Sequence, residues 1–266
     1  MKKIRLADVE LEVLDQGAGR PILFVHGFPL DHSMWNAQLA ALPSGWRAIA
    51  PDLRGCGRSQ VTPGTVSMEQ LADDLAGVLD ALEVREPIVY CGLSMGGYVA
   101  WQFIKKHAAR LRGLVLCDTR SAADTPEAVQ SRMKMLNHVL RAGTTYVAEA
   151  MMPRLFAPES FQRIGGETER IRRLILSSSP EAIAATLRGI AARPDSTPDL
   201  GSIAVPTLVV VGEHDAITSA DEMRGVAAAI PGAQFEVIPD AGHMAPMENP
   251  PVFNALLAVF LARLPN

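Results

Sequence analysis

The chain has 266 residues, of which 48% are hydrophobic, 20% charged and 5% aromatic, with 21 glycines and 19 prolines. That length suits one large α/β or barrel domain, and that composition excludes disordered, collagen-like and fibrous chains. With 25 basic against 29 acidic residues the net charge is −4, which provides no electrostatic footprint for nucleic acid or an anionic membrane, so a small-molecule partner is expected.

The three cysteines, Cys56, Cys91 and Cys117, are scattered, with no CxxC and no paired histidine spacing. Neither a disulfide framework nor a zinc site fits them, so no metal and no cofactor are expected and a reducing compartment is. The basic start, Met1 to Arg5, runs into Asp8, Glu10 and Glu12, which interrupt any secretory apolar core. A cytoplasmic protein is the expectation. The longest uncharged run, 87–104, is broken by Pro87, Gly92, Gly96 and Gly97 into strand, turn and helix, so no membrane span is expected.

In chain order, Ile4 and Leu6, then Val9, Leu11 and Val13, alternate with charged neighbours and predict an antiparallel hairpin turning near Asp8. Short apolar runs without alternation follow at 21–25, 47–50, 88–91, 114–117, 207–211 and 235–238. These read as parallel strands buried on both faces. Helical spacing occupies 34–42, 68–82, 95–106, 219–229 and 251–264. The second of these opens on Ser67 and Gln70, a capping box. Alternating strands and helices predict an α/β fold, a mostly parallel sheet with helices on both faces.

One interval breaks the rhythm. From Arg120 to Leu200 no strand is evident, and the segment holds ten of the chain's 20 arginines with Met133, Met135, Met151 and Met152. At about 80 residues it is too long for a plain connection, so it reads as an all-helical cap inserted over the carboxyl edge of the sheet. The expected division is a core of 1–119 and 201–266 and a cap of 120–200. Nine acidic residues in the same interval predict that its arginines mainly solvate outer helix faces; the other reading is an arginine facing the pocket to pair with a substrate carboxylate. The methionines are expected as core filler, and the low aromatic content predicts an aliphatic pocket.

Gly92-Leu93-Ser94-Met95-Gly96-Gly97 sits between a predicted strand and a predicted helix. Such a turn lifts its central serine onto the sheet edge in a strained conformation, and glycines on either side avoid a Cβ clash with the crossing backbone. The helix from Met95 points its positive end at a developing oxyanion. A serine needs a base that titrates near neutrality, and six histidines are available: His26, His32, His107, His138, His214 and His243. His107 ends a helix beside Lys105 and Lys106, and His138 and His214 suit solvated or lining positions. His243, in a Pro-Asp-Ala-Gly-His loop after the last strand, is the expected base.

The acid that orients it is expected to be Asp215, after the strand at 207–211, with Asp118 as rival and Asp240 as a brace of the loop. Phe28, behind Gly27, and Met95 are expected to supply oxyanion N–H groups, with His26 as a hydrogen-bonding brace. Asp52 and Arg54, in a turn-rich loop, are expected to pair with each other.

His26-Gly27-Phe28-Pro29, the 52–59 loop, the elbow at 92–97, Gly212-Glu213-His214-Asp215 and Ala241-Gly242-His243 together resemble the α/β-hydrolase fold family, in the family's order. Within it the chain resembles small bacterial carboxylesterases and enol-lactone hydrolases. Serine rather than aspartate at position 94 disfavours the haloalkane dehalogenase and epoxide hydrolase branches. The resemblance implies a serine esterase with catalytic Ser94, Asp215 and His243 acting on a small ester. A lactonase or C–C bond hydrolase with the same triad is the alternative, and a slow-turnover ligand sensor the alternative of another class.

Overall fold

The computed structural model describes residues 1–265. β1 (Lys2–Arg5) and β2 (Glu10–Gly17) form the expected antiparallel hairpin, closed where the Leu6 N–H donates to the Val9 carbonyl at 2.8 Å. β3 (Arg20–Val25) leads through a tight helical turn at His32–Trp35 and α1 (Asn36–Ala41) to β4 (Trp46–Pro51). The single helix expected at 34–42 is divided because the Asp31 carboxylate accepts the Ser33 N–H at 2.9 Å and tightens the first turn.

α2 (Met68–Ala81), β5 (Ile88–Leu93), α3 (Met95–His107) and β6 (Leu111–Cys117) complete the first half. The Ser67 hydroxyl accepts the Gln70 N–H at 3.1 Å, which is one half of the expected capping box; no bond from the Gln70 amide back to Ser67 is present among the described residues.

Five helices lie between β6 and β7: α4 (Pro126–Ala142), α5 (Thr145–Leu155), α6 (Ser160–Arg163), α7 (Gly165–Ser177) and α8 (Pro180–Ala191). Thr125 and Ser179 cap α4 and α8 just before prolines, accepting the N–H groups of Ala128 and Ala182, so these starts are set by local chemistry. Leu136, Val139, Val147, Leu155, Ile171 and Ile175 are buried, each on the inward stripe of its helix. β7 (Thr207–Gly212), α9 (Ala220–Ala229), β8 (Gln234–Ile238), α10 (Ala245–Glu248) and α11 (Pro250–Arg263) end the chain.

The eight strands form one sheet in the order β1-β2-β4-β3-β5-β6-β7-β8, antiparallel only at β1-β2 and β2-β4. Every residue of β5 and β7 is buried, as runs of uninterrupted apolar residues require. β8 departs from that expectation, with Glu236 and Val237 exposed, because it is the edge strand with neighbours on one side only. After β3 the chain goes to one side for β4 and to the other for β5, and the crevice beyond the carboxyl ends at such a reversal is where open α/β sheets bind ligands. The loops that leave β3 at Val25 and β5 at Leu93 meet there.

Asp52 and Arg54 do not pair. Asp52 accepts the His32 ring at 2.6 Å and the His32 and Arg58 N–H groups at 3.0 and 2.9 Å, while Arg54 reaches away to Asp74 and Asp8 at 2.7 to 2.9 Å. Gly57 explains the wrap of this loop: at φ 52° it curls the backbone so tightly that a Cβ there would overlap the Asp52 carboxyl. No helix among the described residues is long and apolar enough to cross a membrane.

Candidate functional site

Ser94 follows β5 directly and has φ 52° and ψ −110°, a conformation that side chains rarely adopt. It is held there by its N–H donating to the Cys117 carbonyl at 2.9 Å and its carbonyl accepting the Thr119 hydroxyl at 2.7 Å. The turn tolerates no Cβ on either flank. One on Gly92 would come within 2.7 Å of the Gly96 backbone, and one on Gly96 would overlap the Val25 carbonyl. The Gly96 carbonyl in turn accepts the buried Tyr90 hydroxyl at 2.8 Å.

His243 is buried in the loop after β8, and its Nδ1 lies 2.8 Å from Asp215 Oδ2. Asp215 is shaped for the negative form: Oδ1 accepts the N–H groups of Ile217 and Thr218 at 2.7 and 3.0 Å, and Oδ2 accepts the Thr218 hydroxyl at 2.5 Å. Burial by itself would raise this carboxyl, but the facing His243 ring and the Thr218 donors outweigh it and hold it below the usual carboxylate range. Asp118 stands behind this pair. It is wholly buried at φ 47°, and its Oδ1 accepts the Gly212 N–H at 2.7 Å while Oδ2 has no donor among the described residues. Burial, reinforced by the neighbouring Asp215 charge, pushes its carboxyl well above the ordinary value, toward the neutral acid. Asp240 braces the loop through its backbone carbonyl, which accepts Arg163 at 2.6 Å; its side chain is exposed.

Gly27 lies against the elbow, where a Cβ would sit 3.4 Å from the Ser94 Cβ. Phe28 and Met95 line the same cavity, and the N–H of neither finds an acceptor among the described residues. His26 ties two loops: its Nδ1 donates to the Gly27 carbonyl at 2.9 Å and its Nε2 accepts the Leu53 N–H at 3.0 Å. Both ring nitrogens are engaged and burial lowers its pKa, so the ring is a neutral brace. His32 is paired with Asp52; His107 lies 2.9 Å from Asp73, exposed His138 stacks on Tyr146, and His214 is exposed. Two further clusters have metal-like spacing, Asp31-His32-Asp52 and Glu213-His214-Asp240, but the first is consumed by the His32–Asp52 bond and the second is fully exposed.

Ser94 and His243 open into one cavity of about 330 Å³, lined also by Phe28, Met95, Tyr98, Met135, Met151 and Ile217. Arg120, Arg132 and Arg154 line it as well, so its wall is more basic than the aliphatic pocket expected. Of the ten arginines, Arg170, Arg172 and Arg173 pair with Glu167 and Glu169 along α7, while Arg120, Arg132 and Arg154 line the cavity. Buried Asp124 answers them only in part. It is bound by both Arg132 and Arg193, which outweigh its burial and hold its carboxyl below the usual range.

Sequence reasoning passed over Thr218 and Glu248. Glu248 is wholly buried five residues after His243, and its Oε1 accepts the N–H groups of Gly242 and Met244 at 2.9 and 3.1 Å. Its signal was a lone acid directly after the apolar run from Met244 to Met247.

The family described as the alpha/beta hydrolase fold matches residues 20–250. A thermophilic esterase from Thermogutta terrifontis, solved with malate bound, superposes with a TM-score of 0.95 at 47% identity over 98% of each chain. The enol-lactonase from Burkholderia xenovorans superposes with a TM-score of 0.92 at 29% identity, covering 98% of this chain and 100% of that one. A 3-oxoadipate enol-lactonase of Acinetobacter baylyi is 28% identical over 90% of this chain and 88% of its own length. With the mostly parallel eight-stranded sheet and these relatives in hand, the chain belongs to the α/β-hydrolase fold family, among its hydrolases.

Proposed function

We propose that this hydrolase cleaves small carboxylic esters through an acyl-enzyme on Ser94. The observation that carries the reading is the opening of the strained Ser94 turn and the Asp215-paired His243 into one cavity of about 330 Å³. Ser94 attacks the ester carbonyl while Nε2 of His243 takes the hydroxyl proton, and Asp215 holds the opposite nitrogen and stabilises the imidazolium. The N–H groups of Phe28 and Met95 receive the tetrahedral oxyanion. His243 returns the proton to the leaving alcohol, and water then releases the acid by the same route. The five helices of 126–191 act as a cap, with α4, α5 and α8 contributing lining residues and the cavity size restricting the acyl group.

The test is hydrolysis of p-nitrophenyl esters of increasing acyl length with Ser94→Ala as blank. Fast release on short acyl chains that is absent from the alanine protein is expected; equal rates from both proteins would overturn the reading.

A second reading, an ester or lactone that bears its own carboxylate, is favoured by the basic wall. Arg154 lines the cavity with no ion-pair partner among the described residues, and Asp124 is already neutralised by Arg132 and Arg193. It is consistent with the enol-lactonases among the relatives and with malate, a dicarboxylate, in the Thermogutta esterase.

A further inference from the structure

Glu248 carries a carboxylate in a place where a charge is costly. It is 0% exposed and no cation among the described residues pairs with its carboxylate; all four hydrogen bonds to the carboxylate come from neutral groups. Bringing such a group out of water is costly unless every lone pair is satisfied. Here they are. Oε1 accepts the N–H of Gly242 at 2.9 Å and of Met244 at 3.1 Å, the peptide groups on either side of His243. Oε2 accepts the N–H of Ala157 at 2.9 Å and the Ser160 hydroxyl at 2.6 Å, both in the helical insertion.

The surroundings repeat the connection. The Met244 N–H is shared with the Leu155 carbonyl at 3.0 Å, and Arg163 on α6 donates to the carbonyls of Glu248 and Asp240, each at 2.6 Å. Gly242 has no space for a side chain, since a Cβ would meet the Ala157 nitrogen at 2.5 Å. The loop that holds His243 is therefore seated directly on the segment that joins α5 to α6, with one carboxylate bonded to both. A glutamine could not replace it, because its amide nitrogen would have to face a pair of donors.

We propose that Glu248 is a positioning residue that fixes the backbone on both sides of His243 and couples the placement of this base to the seating of the helical insertion. The inference rests on the reading of His243 as the base. On that reading the insertion has a second duty besides lining the cavity: a shift of the α5–α6 corner displaces the imidazole.

The experiment compares Glu248→Gln, Ser160→Ala and His243→Ala with the wild-type chain, folding being checked by circular dichroism and thermal melting. Steady-state kinetics on p-nitrophenyl acetate follow. Glu248→Gln is expected to lose about 10- to 100-fold in kcat with KM little changed, since misplacement of a reacting group by about an ångström has that effect. Ser160→Ala, which removes one of the two donors on Oε2 and leaves the carboxylate free to tilt, is expected to lose about threefold to tenfold in kcat. A residue that merely held the insertion closed would raise KM instead. Folded Glu248→Gln with wild-type kcat, or with its loss confined to KM, overturns the proposal; if that variant does not fold, wild-type kcat in Ser160→Ala does so. Wild-type turnover by His243→Ala would overturn the base assignment itself, whereas an inactive His243→Ala beside a fully active Glu248→Gln overturns only the coupling.

Discussion

Nδ1 of His243 lies 2.8 Å from Oδ2 of Asp215, and every remaining lone pair of that carboxylate accepts a donor from Ile217 or Thr218. The acceptor-only carboxylate dictates the tautomer: the proton is on Nδ1, and Nε2 is left free to receive one. Asp215→Asn should reverse this. Its amide oxygen keeps the Ile217 and Thr218 N–H groups, which leaves the NH2 facing Nδ1 and places the ring proton on Nε2. The expected result is a loss on the order of 10⁴-fold in kcat with a nearly unchanged melting temperature. A loss below tenfold on p-nitrophenyl acetate would show that the pair does not orient the base.

Asp118 gives a contrasting prediction from a neighbouring carboxyl. Its Oδ1 serves the Gly212 N–H, and burial beside Asp215 favours its neutral form. Asn retains the carbonyl acceptor and is also neutral, so Asp118→Asn should keep both kcat and stability close to wild type. Asp118→Ala orphans the buried Gly212 N–H and should cost about 1 to 3 kcal/mol in urea unfolding. If Asp118→Asn instead lost as much activity as Asp215→Asn, the acid that serves His243 would have to be reassigned.

What could be read from the chain before folding was whatever depends on local chemistry. The elbow was legible because Gly92 and Gly96 are required by two specific close approaches, the loop of Asp215 because it follows an uninterrupted apolar strand, and the loop of His243 from its Pro-Asp-Ala-Gly-His sequence after the last strand. What escaped depends on distant partners. Asp52 and Arg54 are two residues apart in sequence, yet one turns to His32 and the other to Asp8 and Asp74, and nothing local specifies that. Likewise β8, read as a buried run although it carries Glu236, is half-exposed because it lies at the sheet edge. Glu248 escaped for the same reason: two of its donors, Ala157 and Ser160, lie about ninety residues earlier in the chain.

His32 predicts a pH dependence of stability. Burial lowers its pKa, but the 2.6 Å bond and the charge of Asp52 more than offset this and leave it raised. A group with a raised folded pKa contributes stability that is complete below its unfolded value, about 6.5, and that is lost as pH rises through the folded value. Melting temperatures at pH 6 and pH 8.5 should therefore fall further for the wild type than for His32→Gln. The difference between the two proteins isolates this pair from other titrations. Parallel pH profiles would mean that the His32–Asp52 contact carries no net charge interaction.

Arg154 gives the test of the anionic-substrate reading. It is exposed at the cavity wall, so its attraction for a substrate carboxylate is partly screened and amounts to about threefold to tenfold in affinity. Monomethyl esters of dicarboxylic acids, compared with neutral methyl esters of equal length, place the second charge at graded distances from the scissile carbonyl. The wild type should favour the anionic member of at least one pair through a lower KM. Arg154→Met keeps an apolar stem of similar reach and should erase that preference while leaving the neutral ester unaffected. Because the preference is electrostatic it should also shrink as salt is raised. Equal KM values for both members of every pair would exclude carboxylate recognition at this wall and leave the neutral-ester reading intact.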